Sequence, residues 1–204
     1  MGVGITGDRY RWPNRTIPYA VDPALPEQDR VAAAVAHWNE NSIVRFVARG
    51  GETDHLLITR RPGCAVSDVG RRGGEQCVSL GDGCSTGSII HELGHTVGLW
   101  HEHCHPDRDD WVDIDFTNIE DGCEDNFAVN SIAGVPTPTE DLGGYDYGSI
   151  MHYPEIAFPI DPTLPVITPK RPLPAGVVMG QRDALSAGDL AAVEQMYRGV
   201  PAPA

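Results

Sequence analysis

No stretch of this 204-residue sequence approaches the roughly 18 consecutive apolar residues that a membrane-spanning helix needs. Basic residues are scarce: 15 Lys and Arg stand against 29 Asp and Glu, a formal net charge of −14. Nucleic acid and anionic membrane both call for a basic surface, so neither is expected as a partner. No C-x2-C pair occurs, which argues against a cysteine-built zinc site, and no internal repeat is visible. Nor does the start carry a secretory leader, since Met1-Gly2-Val3-Gly4 runs straight into polar sequence. That suits either a cytosolic protein or a mature chain whose leader has gone. Five cysteines, Cys64, Cys77, Cys84, Cys104 and Cys123, favour the second. Clustered cysteines in a chain of this size suggest disulfides made in an oxidising compartment, and their odd number leaves one over.

What is present reads as an ordinary globular chain, 41% hydrophobic and 22% charged, long enough for one good-sized domain over residues 1–204. Ile17 to Val21 reads as a short strand in which Pro18 suits an edge position. From Glu27 to Glu40, Val31, Ala34, Val35 and Trp38 recur at spacings of three and four, an amphipathic helix opened by Pro26. Ile43 to Val47, His55 to Thr59 and Cys77 to Leu80 read as strands. A second helix begins near Ser85 or Thr86 and stops at Gly98. Gly134 to Pro174 is rich in proline and glycine, so irregular structure is expected there. A closing helix spans Ser186 to Tyr197, with Ser186 and Asp189 as its cap. The class is α+β, strand-rich first and loop-rich later.

The second helix carries His91-Glu92-Leu93-Gly94-His95. Four residues return a helical side chain to within about 40° of its start, so both imidazoles leave one face and can bind one ion. Glu92 lies beside them, able to reach a metal-bound water without being a ligand. Neutral nitrogen donors with an open position suit zinc, and the carboxylate then takes a proton as the water attacks a carbonyl. The run continues through Gly98 to His101, completing H-E-x-x-H-x-x-G-x-x-H, in which Gly98 turns the chain so that His101 returns as a third ligand. Downstream, Ser149-Ile150-Met151-His152-Tyr153 supplies a candidate Met-turn.

These residues, with Glu102, Asp107-Arg108-Asp109, the opening Gly7-Asp8-Arg9-Tyr10-Arg11-Trp12 and the run from Gly180 to Ser186, resemble the astacins, and the likeness covers about Val3 to Tyr197. The resemblance implies a metzincin-like, two-lobed catalytic domain. Its N-terminal lobe, about 3–100, would hold a mixed twisted sheet and two long helices. Its C-terminal lobe, about 101–200, would be loop-rich with a terminal helix, and the active-site cleft would lie between. It implies a secreted, monomeric zinc endopeptidase that acts on proteins or peptides. One Zn2+ per chain would be held by His91, His95 and His101, with Glu92 as general base. Tyr153 would stabilise the oxyanion, Met151 would floor the metal site, and Glu102 would face the amino terminus. Cys64 and Cys84 match one family disulfide. The other is absent, since Ser42 stands where a cysteine is usual, and Cys104 with Cys123 would replace it, leaving Cys77 over. His105 stands where the family usually has arginine and adds a further potential ligand. A processing protease with few targets keeps the same chemistry. A zinc- or peptide-binding protein without catalysis would show a broken base or ligand, and all four residues are intact.

Overall fold

A computed structural model describes residues 2–60, 68–81, 83–129, 131–132, 135–136 and 139–203. The chain opens with β1 (Val3–Ile5), β2 (Thr16–Val21), α1 (Asp29–Asn41), β3 (Arg45–Ala48), β4 (His55–Thr59), β5 (Glu75–Ser79) and α2 (Thr86–Val97). It closes with β6 (Val112–Ile114), β7 (Ser131–Ile132), β8 (Val135–Pro136), β9 (Thr139–Asp141), β10 (Ile167–Pro169) and α3 (Ala187–Met196). Short 3-10 turns, one over Glu102–Cys104, fill much of the remainder. None of the described helices is long and apolar enough to cross a membrane.

The largest sheet has the order β3-β2-β4-β5 and all three pairings are parallel. Antiparallel pairing lies instead in three two-stranded sheets, β1-β9, β10-β6 and β7-β8. Pro18 is thus in an interior strand rather than at the expected edge. Pairing of β2 with β4 begins only at Tyr19, so a missing N–H one residue earlier costs that ladder nothing. The first helix starts at Asp29 because Glu27 sits at φ 53, outside helical space.

α1 buries Val31, Ala34, Val35 and Trp38 against the sheet and α2. Each such large apolar side chain, fully buried, contributes about 1.5–3 kcal/mol. Trp38 is locked by an Nε1 bond to the Ile90 carbonyl (3.0 Å), and Arg30 Nη1 reaches the Cys84 carbonyl (2.7 Å). The far end of α2 is tied by Trp12 Nε1 to Thr96 O (2.8 Å) and by the Tyr197 hydroxyl to Val97 O (2.9 Å). Those bonds satisfy carbonyls that a helix terminus leaves open. The result is one core that joins the sheet, all three helices and Met151. A second cluster, around Phe127, Tyr145, Tyr147, Val166 and Ile167, holds the later loops together.

One contact fixes where α2 can lie. A Cβ built on Gly87, in its first turn, would stand 1.6 Å from the main-chain oxygen of Arg182. No side chain can yield there, since the obstacle is backbone. Gly87→Ala is therefore expected to destabilise the protein at the upper end of the overpacking range, about 3 kcal/mol, read as a lower midpoint in urea unfolding. A midpoint equal to wild type would show that α2 is free to shift.

Candidate metal centre

Ser85 starts α2 as an N-cap, its hydroxyl accepting from Ser88 N at 3.0 Å. The helix buries most of its surface, including His91 (5% exposed) and His95 (4% exposed). It ends at Gly98, whose φ of 122° is a conformation that side chains resist. Gly98 N donates to the carbonyls of Gly94 (3.1 Å) and His95 (2.9 Å), turning the chain so that His101 comes back beside the two helical histidines.

One nitrogen from each of His91, His95 and His101 lies within 4.8 Å of the others, and Nε2 of His95 is 3.1 Å from Nε2 of His101. Nitrogens about 2.1 Å from a shared tetrahedral ion would sit roughly 3.4 Å apart, so the cluster has the right size. His91 Nδ1 donates to Ile150 O (2.7 Å) and His95 Nδ1 to Leu99 O (2.9 Å). A carbonyl can only accept, so both Nδ1 atoms carry the proton and both Nε2 atoms keep a bare lone pair. Burial drives the pKa of all three rings down, His95 to about 4 and the other two well below the usual histidine value, with mutual repulsion adding to it for His91 and His101. Three neutral, desolvated imidazoles, those of His91 and His95 with Nε2 left bare by the bonds at Nδ1, are poor company for one another and good ligands for a divalent cation.

Glu92 lies alongside. Burial pushes its carboxyl up to about 7, against the opposing charge of Arg182, and its Oε2 is buried without a partner among the described residues. An orphaned carboxylate oxygen next to three open nitrogens fits a metal with a water molecule in the remaining space. A dication held there would draw the carboxyl back down. Tyr153 completes the wall: its ring lies 4.4 Å from that of His101 and 4.1 Å from His103, stacked on the latter. Burial raises the Tyr153 phenol well above the usual value, which keeps it a proton donor.

The turn of residues 149–152 sits beneath. Met151 packs against α2 where Gly94 leaves room, since a Cβ on Gly94 would lie 2.7 Å from Met151 Sδ. Glu102, 1% exposed, accepts from Asp146 N (2.7 Å) through one oxygen, while a Cβ on Gly2 would come 3.3 Å from the other. His105 does not join the triad: Nδ1 is paired with the Asp107 carboxylate and Nε2 meets Gly143 O at 3.1 Å. Arg108 clamps the carbonyls of His103 (3.1 Å) and Phe127 (2.5 Å), which organises the loop after His101. Lys170 pairs with Asp113 (3.1 Å) and Arg171 covers the Trp111 ring, so both serve the β6 region.

The cysteine expectation needs correction. Cys104 and Cys123 are free thiols and form no bridge. Cys104 is turned inward in its 3-10 turn, donating to Asn126 O at 3.4 Å, and burial pushes its thiol up to about 12. Cys123 is half-buried at the N-cap of the 3-10 turn Glu124–Phe127, packed on the second cluster. Cys84 is also a free thiol, and its expected partner Cys64 lies outside the described residues.

Two residues at the site escaped the sequence reading. Asp189, expected only as a helix cap, also holds the turn, accepting from Ser149 Oγ (2.6 Å) and Ile150 N (3.0 Å). Arg182 donates to Ile150 O and His152 O. Neither lies near the motif in sequence, and the Gly180-Gln181-Arg182 run was the one available signal.

Comparison with known proteins gives one consistent answer. The family model Astacin, a peptidase family, matches residues 4–198. Bone morphogenetic protein 1 of Xenopus laevis is 40% identical over 194 residues, 92% of this chain and 27% of that protein. Zinc metalloproteinase nas-7 of Caenorhabditis elegans is 37% identical over 203 residues, 95% of this chain and 50% of that one. The chain thus spans between a quarter and a half of the length of these two relatives. Among solved structures, the high choriolytic enzyme 1 of the medaka Oryzias latipes, a hatching enzyme zinc-protease, superposes with a TM-score of 0.80 at 32% identity, covering 92% of both chains.

The burial of neutral histidines sets a pH dependence for the metal-free protein. His95 and His152 both fall to about 4 on folding, chiefly through desolvation. Between about pH 6.5 and pH 4 these rings, with His91, His101 and His103 lowered in the same way, make the unfolded chain bind protons that the folded one excludes. Glu92 and Glu102, raised by burial, act in the opposite direction, and the more numerous histidines make stability fall as pH drops through that window. Urea titrations of chelator-treated protein at pH 7 and pH 5 should show a lower midpoint at pH 5. An equal or higher one would mean that proton uptake by the buried Glu92 and Glu102 outweighs the protons the rings exclude.

Proposed function

The chain belongs to the astacin family of peptidases, and from that premise we propose that it is a secreted, zinc-dependent endopeptidase cutting internal bonds of protein or peptide substrates. In this reading residues 1–204 form one catalytic domain, its lobes near 3–100 and 101–200 flanking the cleft, and the protein acts as a monomer. One observation carries the proposal: the imidazoles of buried His91 and His95 and half-buried His101 converge beside a protonated phenol and a Glu92 oxygen without a partner among the described residues.

His91, His95 and His101 would hold one Zn2+. Bound there, zinc supplies Lewis acidity toward the scissile carbonyl and toward water. Glu92 is the general base: it takes the proton of the attacking water and passes it to the leaving amine. Its setting supports this, because its buried Oε2 has no partner among the described residues and is left open to accept that proton. Tyr153 donates from its hydroxyl to the oxygen that gains charge, a donor placed where charge develops. Met151 and the 149–152 turn floor the site and exclude water beneath it. The acidic surface, net charge −14, supports a protein or peptide substrate over nucleic acid or membrane. The extracellular assignment rests on family membership and on the clustered cysteines.

Cleavage of quenched fluorescent casein tests this. Wild type should cut, 1,10-phenanthroline should stop it, and added zinc should restore it. Glu92→Ala should lose about 10²–10⁴-fold in kcat, and Tyr153→Phe about 10²-fold with a smaller change in KM. Retention of activity by Glu92→Ala or in chelator would sink the mechanism.

A further inference from the structure

Resting on the metallopeptidase reading above, we propose that Arg182 is a positioning residue for the metal site, its guanidinium holding the carbonyl that orients His91. The case begins with the acceptor. His91 Nδ1 donates to Ile150 O at 2.7 Å, so the direction of that one carbonyl fixes the His91 tautomer and ring plane. A carbonyl oxygen has two lone pairs, and the second on Ile150 is taken by Arg182 Nη1 at 2.9 Å. The same nitrogen reaches His152 O at 3.1 Å and Gln181 O at 2.8 Å. Arg182 thus gathers the carbonyls on both sides of Met151 onto one cation, and bonds with a charged donor are about twice as strong as neutral ones.

The opposite side of the turn is held by the opposite charge. Asp189 takes its donors, Ser149 Oγ at 2.6 Å and Ile150 N at 3.0 Å, while Met151 N donates to Ser149 Oγ at 3.0 Å and Glu102 N to Met151 O at 3.1 Å. An anion fixes Ser149 Oγ and Ile150 N, and a cation fixes the carbonyls of Ile150 and His152. The main chain of Arg182 is engaged as well, because its carbonyl is the surface on which the first turn of α2 rests at Gly87. One residue therefore sets both the position of the histidine helix and the acceptor that aims its first histidine. Glu92, Tyr153 and Asp189 all act electrostatically on its guanidinium.

Outer partners of metal-binding histidines typically matter about 10–100-fold in metal affinity. The test measures metal binding directly on the full chain. Metal-free wild type, Arg182→Met, Arg182→Gln and Arg182→Lys are titrated with Zn2+ against a chromophoric chelator. The visible absorption of each with Co2+ is recorded, along with the metal-free unfolding midpoint. Arg182→Met is expected to weaken zinc about tenfold or more and to shift the cobalt bands. Arg182→Gln, which can donate to fewer carbonyls, should do likewise to a smaller degree, and Arg182→Lys should weaken zinc least of the three. Wild-type zinc affinity and an unchanged cobalt spectrum in Arg182→Gln and any folded Arg182→Met overturn the proposal. So does loss of cooperative unfolding in all three variants, which would make Arg182 a residue of the fold at large. If wild type itself takes up no zinc, the metallopeptidase reading fails, whatever the variants do.

Discussion

The hydrogen bond from His91 Nδ1 to the Ile150 carbonyl ties α2 to the turn of residues 149–152 at the most demanding point of the molecule. On one side of it is α2, embedded in the larger core through Trp38, Trp12 and Tyr197. On the other is the turn of residues 149–152, fixed by Asp189, Arg182 and Glu102. Neither the helix nor the turn alone would hold the imidazole in one orientation. The close approaches at Gly87 and Gly94 serve the same junction, one against the Arg182 backbone and one against Met151.

Electrostatics at the junction follow from dryness. Burial lowers the histidines, raises Glu92 and raises Tyr153, so the rings and the phenol are held neutral and the Glu92 carboxyl is shifted toward its protonated form until something arrives to compensate. Among the groups named in these shifts, Arg182 is the cation common to the histidines, Glu92 and Tyr153. A site built of neutral donors around an orphaned carboxylate oxygen is preorganised for a dication and a water, and unfavourable without them. That is a stability cost accepted for function, and it explains why the surrounding turn is bonded at nearly every polar group.

Much of this was legible in the sequence because it depends on spacing. Two histidines four apart on a helix must share a face, Gly98 must turn the chain, and Ser85 and Ser186 cap where short hydroxyls should. Apolar periodicity located α1, a hydroxyl cap and Gly98 bounded α2, and alternation located β5. Less visible were features that depend on chain segments meeting in space. Pro18 could not be placed inside a sheet without knowing where β4 begins to pair. The inward turn of Cys104 is decided by a carbonyl 22 residues away, which no cysteine spacing encodes. Arg182 and Asp189 act on residues more than 30 positions distant, through backbone groups that look alike in any sequence.

The most direct test of the central claim is X-ray absorption at the zinc edge of the protein loaded with one equivalent of zinc. The account predicts three imidazole nitrogens at about 2.0–2.1 Å, completed by oxygen and with no sulfur. A sulfur scatterer near about 2.3 Å, drawn from one of the free thiols, or fewer than three imidazoles, would contradict it.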